Sequence, residues 1–217
     1  MTQKPTILVS GYGSWAKAKN NPAAQVAARL GQEEFDGCKV VTVELSVDTY
    51  SLQDQVNELL DRHQPDGWIG LGVSSAALVE PEMVGINWRH FNVPDVADVK
   101  LQATPIIAGG PAAYNATLPC EDMVAAMRAR GIPAARSFSA GTHLCNQLIY
   151  TLAHTAKLRD IDLRSGFVHV PQSPENIAKK CDFGVAEPSM DLAVTTKAIR
   201  VCVEVLAAQL RARNDIQ

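Results

Sequence analysis

Short apolar runs alternate along this chain with longer stretches in which apolar residues recur every three or four positions. Thr6 to Ser10 (TILVS) and Lys39 to Leu45 (KVVTVEL) are rich in β-branched residues, the composition of buried or half-buried strands. Gly67 to Val73 (GWIGLGV), Glu82 to Trp88, Ala134 to Phe138 and Gly166 to Val170 predict further strands. Between them, Leu52, Val56, Leu59 and Leu60 fall on one helical face of 51–62, with Ser51 a candidate N-cap. Pro22 to Leu30, Glu121 to Arg130, Thr142 to His154 and Met190 to Arg211 predict more helices, and Gly131 stands where a C-terminal cap would. This alternation argues for an α/β protein with helices on both faces of a mostly parallel sheet. Such folds bind ligands beyond the carboxyl ends of their strands. The longest irregular stretch, 92–115, contains Pro94, Pro105, Gly109, Gly110 and Pro111 and reads as a hairpin or a loop over a site. It does not read as a linker, so residues 1–217 are expected to form one domain.

Composition narrows the classes of function. Hydrophobic residues make up 47% of the 217 positions and charged residues 20%, as in an ordinary soluble globule. A net charge of −3 with no basic block argues against nucleic acid as a partner. No apolar stretch approaches the ~20 residues of a membrane span, and the apolar run near the N-terminus is too short for a signal-peptide core. The five cysteines, 38, 120, 145, 181 and 202, are odd in number, widely spaced and free of any Cys-x-x-Cys pair. They read as free thiols of a reducing, cytoplasmic protein, neither a disulfide framework nor a zinc knuckle.

Three short segments carry candidate chemistry. Gly11-Tyr-Gly-Ser-Trp-Ala16 matches the looser dinucleotide fingerprint, but its physics requires a helix that opens within the loop, and Pro22 is the better helix start. A turn presenting Tyr12 and Trp15 is the alternative reading. The histidines show no His-Glu-x-x-His, and His143 and Cys145, two apart, would diverge on a helix, so no metal site is expected. Cys145 follows Thr142, and if Thr142 caps the helix, its sulfur lies in the first turn, where the positive helix end favours an anion. A buried structural cysteine is the competing reading. His169 closes an apolar strand, where it is either a satisfied core residue or a side chain delivered to the sheet edge. Glu82 enters another strand and is either a solvated strand start or a neighbour of His169. Spacing alone does not bring these three together.

The same segments resemble the pyroglutamyl peptidase I family, also called pyrrolidone carboxyl peptidases. Ser139-Ala-Gly-Thr-His-Leu-Cys-Asn146 is similar to that family's Ser-Ala-Gly-Thr-x-x-Cys-Asn nucleophile motif, and Gly110-Pro-Ala-Ala-Tyr-Asn-Ala-Thr-Leu-Pro119 to its Gly-Pro-x-Ala-Tyr-x-x-Thr-Leu-Pro. Gly131-Ile-Pro-Ala134, Gly166-Phe-Val-His-Val-Pro171, Glu82-Met-Val-Gly-Ile-Asn87 and the aromatic stretch at Tyr12 and Trp15 complete the resemblance. It implies a three-layer α/β/α sandwich with a mixed, mostly parallel central sheet. It also implies a cysteine peptidase that needs no cofactor and removes N-terminal pyroglutamate, with Cys145 as nucleophile, His169 as base and acid, and Glu82 orienting the imidazole. Tyr12, Trp15, Val93 and His143 are then the expected walls of a small, mostly apolar substrate pocket. The expected partner is a small peptide with a blocked N-terminus, and family members often assemble, so a dimer or tetramer is expected. The departures bear on the substrate. The family usually has phenylalanines where Tyr12 and Trp15 stand and an aromatic where His143 stands. Gly72-Val-Ser-Ser-Ala76 replaces its Gln-x-Gly-Gly-Arg run, and Asn92 stands for an arginine. These changes keep open a thiol hydrolase of the same fold acting on another small amide or lactam.

Overall fold

The computed structural model describes residues 4–15, 20–179 and 187–214. In chain order the elements are β1 (Thr6–Tyr12), α1 (Pro22–Leu30), β2 (Lys39–Leu45), α2 (Leu52–His63), β3 (Gly67–Val73), β4 (Glu80–Pro81), β5 (Val84–Ile86), β6 (Arg89–Phe91), β7 (Leu101–Thr104), β8 (Ala113–Asn115), α3 (Cys120–Ala129), α4 (Leu144–Leu158), β9 (Arg164–Val170), α5 (Pro174–Ala178) and α6 (Leu192–Asn214). The central sheet runs β2-β1-β3-β9-β4, parallel except where β4 meets β9. This is the mixed, mostly parallel sheet expected.

The period of two along each strand creates two cores, one on each face. Ile7, Val9, Ile69, Leu71, Val168 and Val170 point to one face and pack with α1, α3 and α6. Leu8, Trp68 and Phe167 point to the other and pack with α2 and α4. Ser10 lies on that second face too, and its hydroxyl accepts a 2.8 Å bond from the buried Trp68 indole N–H, so the strand polar group is satisfied. Because His169 is two residues beyond Phe167 on β9, it must share the α4 face.

Several expectations change in detail. Residues 82–88 do not form one strand: Glu82 lies between β4 and β5, and β5 pairs with β8 in a separate ribbon. Residues 134–138 make only isolated bridges, Val79 with Ala134 and Glu82 with Ser137, too sparse to propagate a ladder. The 92–115 stretch contains β7, which folds back as a hairpin on the preceding β6, and then β8. Thr142 is not the cap of α4. His143 takes that position without a side-chain cap bond, while the Thr142 hydroxyl donates to the His90 carbonyl at 2.6 Å.

The nucleotide reading of Gly11 to Ala16 is also overturned. Gly11 and Tyr12 belong to β1, and the first helix among the described residues opens at Pro22, where Asn21 caps it by accepting from Ala23 N–H at 3.0 Å. A glycine is needed at 11 because a Cβ there would lie 2.6 Å from the Ala23 carbonyl oxygen, the close approach of α1 to the strand. No helix among the described residues is long and apolar enough to cross a membrane.

Candidate active site

The first turn of α4 is anchored from three sides, by the side chains of Asn146 and Gln147, next to Cys145 in sequence, and by Tyr12 from β1. Asn146 accepts from Ile86 N–H at 2.8 Å and donates to the carbonyls of Ile86 and Trp88 at 2.9 and 3.0 Å, tying the helix to β5. Gln147 accepts from the Thr49 hydroxyl and donates to its carbonyl, both at 2.7 Å. The Tyr12 hydroxyl donates to the Leu144 carbonyl at 2.7 Å, and burial, with the charge at Cys145 adding to it, raises the phenol well above its usual range. The second turn and beyond are held by Tyr150, which donates to the Pro111 carbonyl at 2.8 Å, and by His154, whose Nδ1 meets the Tyr114 hydroxyl at 2.9 Å. Pro111 and Tyr114 of the 110–119 segment therefore act on the helix that carries Cys145.

On the same face of the sheet, β9 delivers His169 and the chain between β4 and β5 delivers Glu82. The two meet: Glu82 Oε1 lies 2.6 Å from His169 Nδ1, with Glu82 1% exposed and His169 7%. Burial by itself would depress the imidazole. The negative charge and hydrogen bond of Cys145, followed by the hydrogen bond and charge of Glu82, outweigh it and lift His169 to about 10. Cys145 and Glu82 thus address the same ring. Phe167 packs edge-on against that ring at 5.1 Å and restricts its rotation. Structure thereby brings together Cys145, His169 and Glu82, in a sulfur, imidazole and carboxylate arrangement suited to nucleophilic catalysis.

Gly72 lies opposite His169 in the β3 and β9 register, under the sulfur. A Cβ there would approach Phe167 Cζ to 2.7 Å and Cys145 Sγ to 3.0 Å. A glycine inside an apolar strand signals such an approach, a signal the sequence reading did not use. Gly72→Ala is expected to displace the thiol and cut turnover roughly 10- to 100-fold, with a stability loss of about 1–3 kcal/mol from overpacking. Steady-state kinetics beside thermal melting checks this, and wild-type turnover in the variant would refute the contact.

Beside the sulfur lies a cavity of about 150 Å³. Tyr12, Trp15, Val47, His143 and Leu144 are among its apolar and aromatic lining residues, and Asn20, Asn21, Gln172 and Asn176 among its polar ones. His143 and Cys145 both face it, contrary to their expected divergence, because His143 is in an extended cap conformation and does not follow helical geometry. Val93 does not line the cavity; the residue is 51% exposed, and it contributes its carbonyl, 3.1 Å from His143 Nε2. Asn92 sits on the β6 and β7 hairpin, accepting from Gln102 at 2.7 Å, and Ser74 receives the Ala76 N–H at 3.2 Å within its own turn.

Of the other cysteines, 38, 120 and 202 are buried free thiols, with burial pushing Cys120 up to about 12. Cys181 lies outside the described residues. Among the described residues, no group of three or more His, Cys, Asp or Glu side chains is placed to hold a metal ion.

Residues 5–209 match the family model described as pyroglutamyl peptidase. The chain is 34% identical to a pyrrolidone-carboxylate peptidase of Cupriavidus necator over 98% of its own length and 96% of that protein's. Its fold superposes on the crystal structure of Bacillus amyloliquefaciens pyroglutamyl peptidase I with a TM-score of 0.88 at 31% identity, covering 94% of this chain and 97% of that one. For the pyrrolidone carboxyl peptidase of Thermococcus litoralis the TM-score is 0.91 at 28% identity, with 96% of each chain covered.

Proposed function

The chain belongs to the pyroglutamyl peptidase family, and on that premise we propose that it is a cysteine peptidase that hydrolyses the amide bond after an N-terminal pyroglutamyl residue. The observation that carries the catalytic assignment is the shared imidazole: one ring held 2.6 Å from a buried carboxylate and raised by the sulfur beside it. In this reading Cys145 as thiolate attacks the pyroglutamyl carbonyl carbon, forming the carbon–sulfur bond and moving the carbonyl electrons onto oxygen. The first-turn N–H groups of α4 have no intrahelical acceptor and stabilise that oxyanion. Protonated His169 gives its proton to the departing amine as the carbon–nitrogen bond breaks. Neutral His169 then takes a proton from water, whose oxygen displaces the sulfur and frees pyroglutamate. Glu82 fixes the ring so that Nε2 addresses the sulfur. Tyr12, Trp15 and His143 wall the ring of the substrate, which carries no charge and suits their apolar faces.

The leaving partner is a small peptide, and residues 1–217 act as one peptidase domain. A reducing, cytoplasmic setting accords with free thiols at 38, 120, 145 and 202. Turnover of a pyroglutamyl arylamide, with a prolyl arylamide as the control lacking the lactam carbonyl, tests the reading. Hydrolysis confined to the pyroglutamyl substrate is the expected result. A protein whose Cys145 alkylates readily yet leaves that substrate intact would favour another small amide or lactam instead.

A further inference from the structure

We propose that His143 determines specificity by accepting the lactam N–H of the substrate on its ring nitrogen Nδ1, an inference that rests on the pyroglutamyl reading above. The ring is fixed in place. Phe91 stacks against it at 4.1 Å and Trp15 at 5.0 Å, both tilted, and its Nε2 lies 3.1 Å from the Val93 carbonyl oxygen. A carbonyl can only accept, so Nε2 carries the proton. Burial depresses the imidazole below its usual value despite the opposing influence of the Val93 hydrogen bond and of Asp95. A neutral ring protonated at Nε2 leaves Nδ1 as a bare acceptor.

That acceptor is unspent. No described residue bonds Nδ1, and it is not among the sealed polar atoms left without a partner, so it keeps some exposure. Two aromatic residues that line the cavity with His143 have their polar groups already committed: Tyr12 donates to the Leu144 carbonyl and the Trp15 indole donates to the Pro94 carbonyl at 2.6 Å. Asn21 is likewise occupied, accepting from Ala23 N–H and donating to the Gly13 carbonyl. A lactam needs an acceptor for its N–H, since burying that group unpaired costs free energy. His143, two residues before Cys145 and lining the same cavity, supplies one. A phenyl ring at this position would fill the same space and supply none.

The test compares 2-pyrrolidone with γ-butyrolactone, which has the same ring with oxygen in place of N–H. Binding is measured by NMR titration in a Cys145→Ala background, so neither turnover nor thiol reactivity enters. With His143 present the lactam is expected to bind about 10-fold more tightly than the lactone, and His143→Phe is expected to bring the ratio close to one. The ¹⁵N resonance of His143 Nδ1 is expected to move on adding 2-pyrrolidone and to stay in place with the lactone. An unchanged lactam preference in His143→Phe, or an unmoved Nδ1 resonance in the protein that retains His143, overturns the proposal, and the second readout does not depend on the variant's folding. Arylamide turnover by the unsubstituted protein judges the pyroglutamyl reading separately.

Discussion

Replacing Cys145 by alanine is expected to lower turnover of a pyroglutamyl arylamide by roughly 10⁴-fold or more, the scale on which loss of a nucleophile collapses a triad. The size of the effect follows from the division of labour at the site. His169 and Glu82 act only on the sulfur and on the groups it acylates, so without the sulfur their placement has nothing to activate. Stability should change little, because Cys145 is partly exposed at a helix start that Asn146, Gln147 and Tyr12 hold independently of the thiol. The imidazole should change more. Losing the contribution of Cys145 leaves burial opposed by Glu82 alone, so His169 is expected to titrate at lower pH in the variant, which histidine NMR would record. Alkylation supplies the complementary measurement: one fast equivalent with parallel loss of activity. The thiols of Cys38, Cys120 and Cys202 are buried and should react only on unfolding, while Cys181→Ser, with activity retained, removes the remaining cysteine from the count. An active Cys145→Ala protein would dismiss the thiol mechanism.

Much of the scaffold is readable from periodicity because its elements are long and amphipathic or fully apolar. β2, β3 and α1 begin and end where their patterns do, and Gly131 takes the left-handed conformation expected after α3, at φ 73°. The segments that mislead are those whose apolar residues serve a partner other than the main sheet. Met83, Val84 and Ile86 suggest a continuous strand with Glu82, but Glu82 turns inward toward His169 while 84–86 pair with β8. The site divides in the same way. Cys145 at a helix start and His169 at a strand end are visible one at a time, whereas their meeting depends on β9 lying next to β3 with Gly72 opposite His169. Register of this kind is set by contacts far apart in sequence, so it reached the sequence reading only through the family resemblance. Phe91, Gln172 and Asn176 escaped notice for the same reason: nothing local to them signals a ligand.

Glu82→Gln is the second large effect, expected to reduce kcat/KM by about 10²- to 10⁴-fold while leaving the fold intact. Glu82 Oε1 meets His169 Nδ1, but Oε2 is sealed from solvent and meets no donor among the described residues. The amide therefore has two orientations, both poor. With its oxygen toward His169, its NH₂ occupies the site of Oε2 and is buried without an acceptor, at a cost of about 1–3 kcal/mol. With its NH₂ toward His169, it donates to Nδ1 and forces the proton onto Nε2, the tautomer that cannot take a proton from thiol or water. The pH profile separates this role from mere packing. His169 is held charged up to about 10 in the wild type, so its imidazolium can protonate the leaving amine into alkaline solution. Removing the carboxylate takes away interactions that raise the ring, so the alkaline limb of kcat/KM should move to lower pH. Stability follows the same sign: a raised imidazole contributes fully below its unfolded value near 6.5 and loses that contribution as pH climbs through about 10. The variant's melting temperature should consequently fall less between pH 7 and 10 than that of the wild type. A Glu82→Gln protein within threefold of wild-type activity and with an unmoved alkaline limb would reduce Glu82 to a buried bystander.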